Sequence, residues 1–236
     1  MFYRLIEIIG FSVCHQLDSR SLVFGGTVTP LCSRCAGIYM GFMVAALILF
    51  LMFRKKQSEL PPLYIMVILG VFFLSTVIDG LASYLGLYAT NNIVRFTTGV
   101  LCGSAIMAVL YPVFNYQYYQ DPGKERIFKR PVTFIIFIMA MIAFTVISLL
   151  QPGTLGRFYY YLSGISVIFT FFFVSVVMVF LVPGFSQKAE RLFTRYLILP
   201  VILALPLTAL ELFIAYKFHQ LMEIYAAGQA PAFFPC

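Results

Sequence analysis

One stretch of the chain, SVCHQLDSRSLVFGGTVTPLCSRCAGIYMG over residues 12 to 41, holds Cys14, His15, Cys32 and Cys35, most of the five cysteines and two histidines in the sequence. Thiolate and imidazole together suit zinc, which takes four such ligands tetrahedrally. "LCSRCAG" has the form of a metal knuckle, with Gly37 placed where a turn needs backbone freedom. Cys14 is the third candidate ligand. His15 is the fourth by chemistry, although a residue next to Cys14 in the chain does not easily reach the same metal. It then supports the ligands or carries protons, and His219 or Asp79 completes the coordination. A second chemistry uses the same residues: a Cys-x-x-Cys pair at a helix start has thiolates favoured by the helix end, with Arg34 adding to the effect. Cys32 and Cys35 then form a thiol–disulfide couple and Cys14 resolves it. Inert structural cysteines are the third reading. Cys102 reads as a small packing residue, and Cys236 as a fraying terminal thiol.

The elements that position these residues are membrane helices. Of 236 residues, 61% are hydrophobic and 11% charged, with a mean hydropathy of +0.95. Soluble domains carry about 25% charged residues. Apolar runs long enough for a hydrocarbon core of about 30 Å fall at about 37–53, 62–79, 93–114, 132–150, 160–183 and 196–216. The expectation is an all-α integral membrane bundle of six transmembrane helices, one domain over residues 1–236. A short Cys/His segment, residues 1–36, precedes it. MFYRLIEIIGFSV at the start is too short to span and reads as an interfacial amphipathic helix, not a removed signal.

The net charge of +7 does not mark a nucleic-acid binder, because the basic residues are scattered among membrane loops. The odd-numbered connections hold Arg54, Lys55, Lys56, Lys124, Arg126, Lys129, Arg130, Lys188, Arg191 and Arg195, ten of the sixteen basic residues. The positive-inside tendency makes those loops cytoplasmic and both termini extracytoplasmic, in a multi-pass protein of the cell membrane.

Helix parity alone puts one set of ends on a shared face. That face carries Cys32 and Cys35, Asp79, Arg95, Gln151, Arg157, Glu211, Lys217 and His219. Ionisable groups at bilayer depth are costly and mark sites or named pairs; Lys217 and Arg157 read as charges snorkelling to the headgroups. Asp79, in an apolar helix with no basic residue following it before Arg95, is expected to pair with Arg95. Glu211 lacks an opposite charge within a turn and needs a partner on another helix. Asn91 and Asn92 suit a helix cap, and Gly99 with Gly103 a close helix contact. No phosphate-cradling loop, Gly-x-Ser-x-Gly or internal repeat is present.

The segments "CHQL…RS…PLCSRCAGIYMG", then "IDG" and "NNIVRFTTG", resemble a family of uncharacterised microbial membrane proteins with a domain of unknown function. That family's pattern reads Cys-His-Gln-x-Pro-Glu-Arg-Ser, Pro-x-Cys-x-Arg-Cys-x-Gly-Ile-Tyr-x-Gly, Asp-Gly and Arg-x-x-Thr-Gly. It falls here on Cys14, His15, Gln16, Arg20 and Ser21, then on Pro30, Cys32, Arg34, Cys35, Gly37, Ile38, Tyr39 and Gly41, and finally on Asp79, Gly80, Arg95, Thr98 and Gly99. Asp18 and Ser19 replace the Pro-Glu, and Ala36 a common Thr. The resemblance spans roughly residues 10 to 110 and implies one composite site without implying a reaction.

Three functions follow from these residues. In the first, a zinc centre on Cys14, Cys32, Cys35 and His15 acts on a lipid-borne or small polar substrate, with Asp79 and Arg95 flanking and His15 or Glu211 carrying protons. In the second, the metal is structural and the protein transports or binds a partner. In the third, Cys32 and Cys35 exchange disulfides.

Overall fold

A computed structural model describes residues 2–24, 26–53, 57–150, 153–192 and 194–228. Six helices are long and apolar enough to cross a membrane. They are α2 (Ser33–Met52), α3 (Leu63–Tyr84), α4 (Asn92–Tyr118), α5 (Pro131–Leu149), α6 (Gly156–Leu181) and α7 (Arg195–Gly228), preceded by α1 (Phe2–Val13). A 3-10 turn over Asp18–Arg20 leads into an antiparallel hairpin, β1 (Ser21–Phe24) and β2 (Thr27–Cys32). At the other end of the bundle, β3 (Gln57–Glu59) pairs in parallel with β4 (Gly123–Arg126). This pairing ties the first helix connection to the third.

Local chemistry sets several boundaries. The Asn91 side chain accepts from the Val94 amide at 2.8 Å and so caps α4, as the sequence led us to expect. Pro131 opens α5, where a missing N–H costs nothing. α2 begins at Ser33, ahead of the expected 37. Cys35 therefore lies in the first turn of the helix and not in a knuckle before it. α7 continues well past Tyr216, which brings His219 into a helix.

α2 and α4 are the closest pair. A Cβ at Gly37 would fall on the Phe96 carbonyl, one at Gly99 on the Arg34 carbonyl, and one at Gly103 on that of Ile38. Gly37 thus serves backbone approach between helices, not the turn that its spacing suggested. Gly99 and Gly103 make the close contact expected of them. Thr76 joins α3 to α4 by donating to the Thr98 carbonyl at 2.7 Å. The core continues through Phe42, Leu49, Phe96, Val100, Tyr111, Phe137 and Phe180, all nearly fully buried. Large apolar side chains on the outer faces of α3, α5 and α7, such as Leu63, Ile78, Ile136 and Phe213, are exposed, as they are where hydrocarbon replaces water.

α1 packs one face against the bundle and leaves Tyr3, Leu5 and Ile8 exposed. Ile6 is fully buried and sits where a Cβ on Gly164 of α6 would fall. Tyr3 stacks on Tyr160 with centroids 4.6 Å apart.

Candidate metal centre

The hairpin and α1 together deliver Cys14 to the start of α2. Gln16 adopts a left-handed backbone, φ 52°. Its Nε2 donates to the carbonyls of Glu7 at 3.0 Å and Pro30 at 2.9 Å. This clamp fixes the loop leaving α1 against β2. Ser33 Oγ donates to the Arg20 carbonyl at 2.8 Å and holds the hairpin to the first turn of α2.

The result is a group of three sulfurs. The Sγ atoms of Cys14, Cys32 and Cys35 lie within 4.8 Å of one another, and Cys14 is 4% exposed. The Cys32 amide donates to Cys14 Sγ at 3.1 Å, the amide-to-sulfur bond by which a backbone supports a thiolate ligand. Cys35 Sγ bonds the Val13 carbonyl at 3.8 Å. Sulfurs bound at about 2.3 Å to a tetrahedral zinc stand ~3.8 Å apart. The trio lies within reach of that spacing.

Electrostatics favours a shared negative charge. Hydrogen bonds from the thiols of Cys14 and Cys35 hold the Cys32 thiol far below the ordinary range, and backbone amides at the start of α2 lower it further. The same bond to Cys32 pushes Cys14 up to about 11. Cys32 is thus the sulfur that ionises first.

Asp79 has a different partner from the one expected. It is 3% exposed and pairs with Arg34, through Nη2 and through Nε at 3.1 Å. Its other oxygen accepts from Tyr88 and from Thr90 at 2.8 Å. The expected Asp79–Arg95 pair is replaced because Arg34, one residue before Cys35 on α2, reaches across to α3. Arg95 is 9% exposed and donates to Asn92 Oδ1 at 3.4 Å. Asn92 in turn donates to the carbonyls of Ser19 and Ser21 at 3.3 Å each. Arg95 thus faces the hairpin side of the centre.

His15 is not among the three-ligand group. Its ring lies 4.1 Å from that of His219, between centroids, and the Phe11 ring is 4.7 Å from that of His219. Glu211 accepts from Ser175 at 3.0 Å, and Thr208 donates to Ser175 at 3.1 Å. This gives Glu211 its partner on another helix. It sits about 12 Å along α7 from His219, at 1.5 Å per residue. Arg157 and Lys217 are exposed, and Lys217 bonds Gln220 at 3.2 Å. Gln151, Cys236, Arg54, Lys55 and Lys56 lie outside the described residues.

Residue types alone did not single out Arg34 as a buried-pair partner, or Tyr88 and Thr90 at all. The "CSRC" segment carries the one sequence signal for it, an arginine between the two metal-candidate cysteines.

Six apolar helices around a thiol cluster at one end define a multi-pass membrane protein with a cysteine centre on one face. The chain belongs to the family described as "Predicted membrane protein (DUF2085)", whose model matches residues 14–109. An uncharacterized protein of Methanothermobacter thermautotrophicus is 34% identical over 104 residues, 44% of this chain and 88% of the relative. Another, uncharacterized protein MJ1492 of Methanocaldococcus jannaschii, is 28% identical over 117 residues, 48% of this chain and 73% of that one. No solved structure matches the chain. The matched region contains all three sulfurs, the Arg34–Asp79 pair and Arg95, and ends before α5.

Proposed function

We propose that Cys14, Cys32 and Cys35 hold zinc at the extracytoplasmic face of the bundle, in a membrane-embedded metal-dependent enzyme acting on a lipid-borne or small polar substrate. The observation that carries this reading is the three-sulfur group with an amide already donating to one sulfur. A zinc held by Cys14, Cys32 and Cys35 would keep one coordination position open and would supply Lewis-acid chemistry there to a water or a substrate oxygen.

The other residues take roles set by their geometry. Asp79 is a positioning residue: it fixes Arg34 and through it the first turn of α2, which bears Cys32 and Cys35. Arg95 offers positive charge beside the centre and meets the anionic part of a substrate. His15 follows Cys14 directly and is exposed, so it exchanges protons between the site and water. Glu211 is committed to Ser175 between α6 and α7 and takes no part. The excess of basic residues in the odd-numbered connections supports the outward orientation.

Elemental analysis of detergent-purified protein, run with a free-thiol count on the same sample, tests the reading. About one thiolate-bound zinc per chain, lost in Cys32→Ser, is the expected result. No metal, with Cys32 and Cys35 joined as a disulfide, would sink it and leave thiol–disulfide exchange in its place. A zinc retained with all three thiolates while His15→Ala and Arg95→Gln leave cellular function intact would reduce the centre to a structural one.

A further inference from the structure

At the end of the bundle away from the sulfurs, a cavity of about 760 Å³ lies between the last turn of α2 and the first turn of α5, with Gln57 of β3 and Arg126 of β4 in its wall. The frame around it is fixed. Ser58 Oγ donates to the Gly123 carbonyl at 2.9 Å, the Ile127 amide to the Glu59 carbonyl at 3.2 Å, and the Tyr111 hydroxyl to the Phe53 carbonyl at 2.6 Å. Phe128 takes a left-handed backbone, φ 54°, which a bulky side chain rarely adopts and which marks a constrained turn. That turn seats the Phe128 ring 5.5 Å from Phe53 and 5.2 Å from both Phe134 and Phe137. It leaves the next two residues, Lys129 and Arg130, exposed at the cavity.

Arg126, Lys129 and Arg130 line the cavity against one acid, Glu125. Arg126 is paired with Glu59 at 3.3 Å, whereas the side chains of Lys129 and Arg130 have no partner among the described residues. Gln57 Nε2 donates to Glu125 at 3.3 Å, and its Oε1 is buried without a partner. Buried polar atoms are nearly always partnered, and the last torsion of a glutamine is soft enough for the amide to turn toward a polar group in the cavity. Leu51, in the last turn of α2, lines the same cavity and is 61% exposed, as apolar side chains are where hydrocarbon replaces water. We infer that this cavity binds an anionic phospholipid, its phosphate held by Lys129 and Arg130 and its glycerol and upper acyl chain lying against Leu51 and Met52. Charge-assisted bonds from two neighbouring cations suit a phosphate, and basic pockets between membrane helices take such headgroups. A soluble phosphate ester carries the same charge but makes no use of the apolar rim. The site is independent of the sulfur centre, because the 20 residues of α2 that separate them span about 30 Å.

Native mass spectrometry of the full-length protein in detergent, titrated with phosphatidylglycerol or with phosphatidylcholine of the same acyl chains, tests the site by counting bound lipid. Phosphatidylglycerol, the anionic one, is expected to bind at the lower concentration. Lys129→Gln with Arg130→Gln is expected to weaken it about tenfold or more, the order set by two cations at an anionic headgroup, and to leave phosphatidylcholine unchanged. Lys124→Gln with Lys188→Gln removes the same charge from the same end of the bundle, outside the cavity, and is expected to leave both lipids unchanged. Equal binding of the two lipids by the wild type overturns the inference. Equal losses from the two double variants also overturn it, by reducing the effect to diffuse attraction. Glycerol phosphate that displaces phosphatidylglycerol at equal concentration overturns the lipid assignment and gives the cavity to a soluble phosphate ester. All four substituted residues are exposed, so neither double variant disturbs the core.

Discussion

The α2–α4 pair and the α6–α7 pair span the same membrane and are built in opposite ways. α4 buries 56% of its apolar stretch inside the protein and α7 buries 17%. In the first pair, glycines bring backbones together and charged groups are buried and partnered. In the second, the buried polar groups are small hydroxyls, Ser163, Ser166, Ser175 and Thr208, and Glu211 accepts from Ser175. The family match ends at residue 109, and the aligned region makes up 88% of the Methanothermobacter relative. The hairpin, α2, α3 and most of α4 therefore hold the three sulfurs, the Arg34–Asp79 pair and Arg95, while α5 to α7 lie beyond the match. Close backbone packing goes with the site because three sulfurs and a buried ion pair tolerate little movement of the helix ends that carry them.

The sharpest way to break this contrast is glycine substitution. Gly99→Leu is expected to abolish the folded protein or cost more than about 3 kcal/mol, because the added Cβ would fall on the Arg34 carbonyl. Gly70→Leu on α3 faces open space and should leave the thermal midpoint in detergent within a few degrees. Equal damage from both would remove the distinction between the tight pair and the rest.

Thiol reactivity gives the next largest effect. In metal-free protein, alkylation at Cys32 is expected to stay nearly flat from pH 8 down to pH 5, because its lowered value keeps it ionised throughout. An ordinary thiol slows about tenfold per pH unit over that range. Cys14, raised to about 11, should react only in strong alkali. Peptide mapping at each pH separates the two, and parallel profiles would contradict the shared-charge description.

Asp79→Asn leaves Arg34 without its counter-charge. Because Arg34 is 24% exposed, the cost should sit near the low end for a broken buried pair, about 2–3 kcal/mol. Arg95→Gln should cost less in the same midpoint measurement. The reverse order would restore Asp79–Arg95 as the working pair. Ser175→Ala in the looser pair removes one hydrogen bond to a carboxylate and should cost about 1 kcal/mol.

The six spans could be read from the sequence because an apolar run of membrane length has few alternative explanations. Parity could be read for the same reason, and the Asn91 cap and the Gly99 and Gly103 contact follow from local rules. The start of α2 could not. "PLCSRCAG" carries a knuckle pattern and a helix start at once, and the role of Gly37 in the approach of α4 shows only when the two helices stand together. The partner of Asp79 was missed because an argument along the chain favours the next basic residue after it, whereas Arg34 lies 45 residues upstream and is near only once α2 and α3 stand side by side. The hairpin was hidden by its brevity. The β3–β4 pairing joins two connections that no local pattern links.

The amide of Cys32 bonds the sulfur of a residue 18 positions earlier, so the cysteine cluster closes a ring of chain around the whole hairpin. An ion that tied Cys14 to Cys32 would act on the unfolded ensemble as well as the folded one. It would withdraw about 3 kcal/mol of conformational freedom, as a covalent crosslink over a loop of this size does. Metal supply to the membrane would then set how much of the population has its N-terminal cap in order, before any substrate arrives.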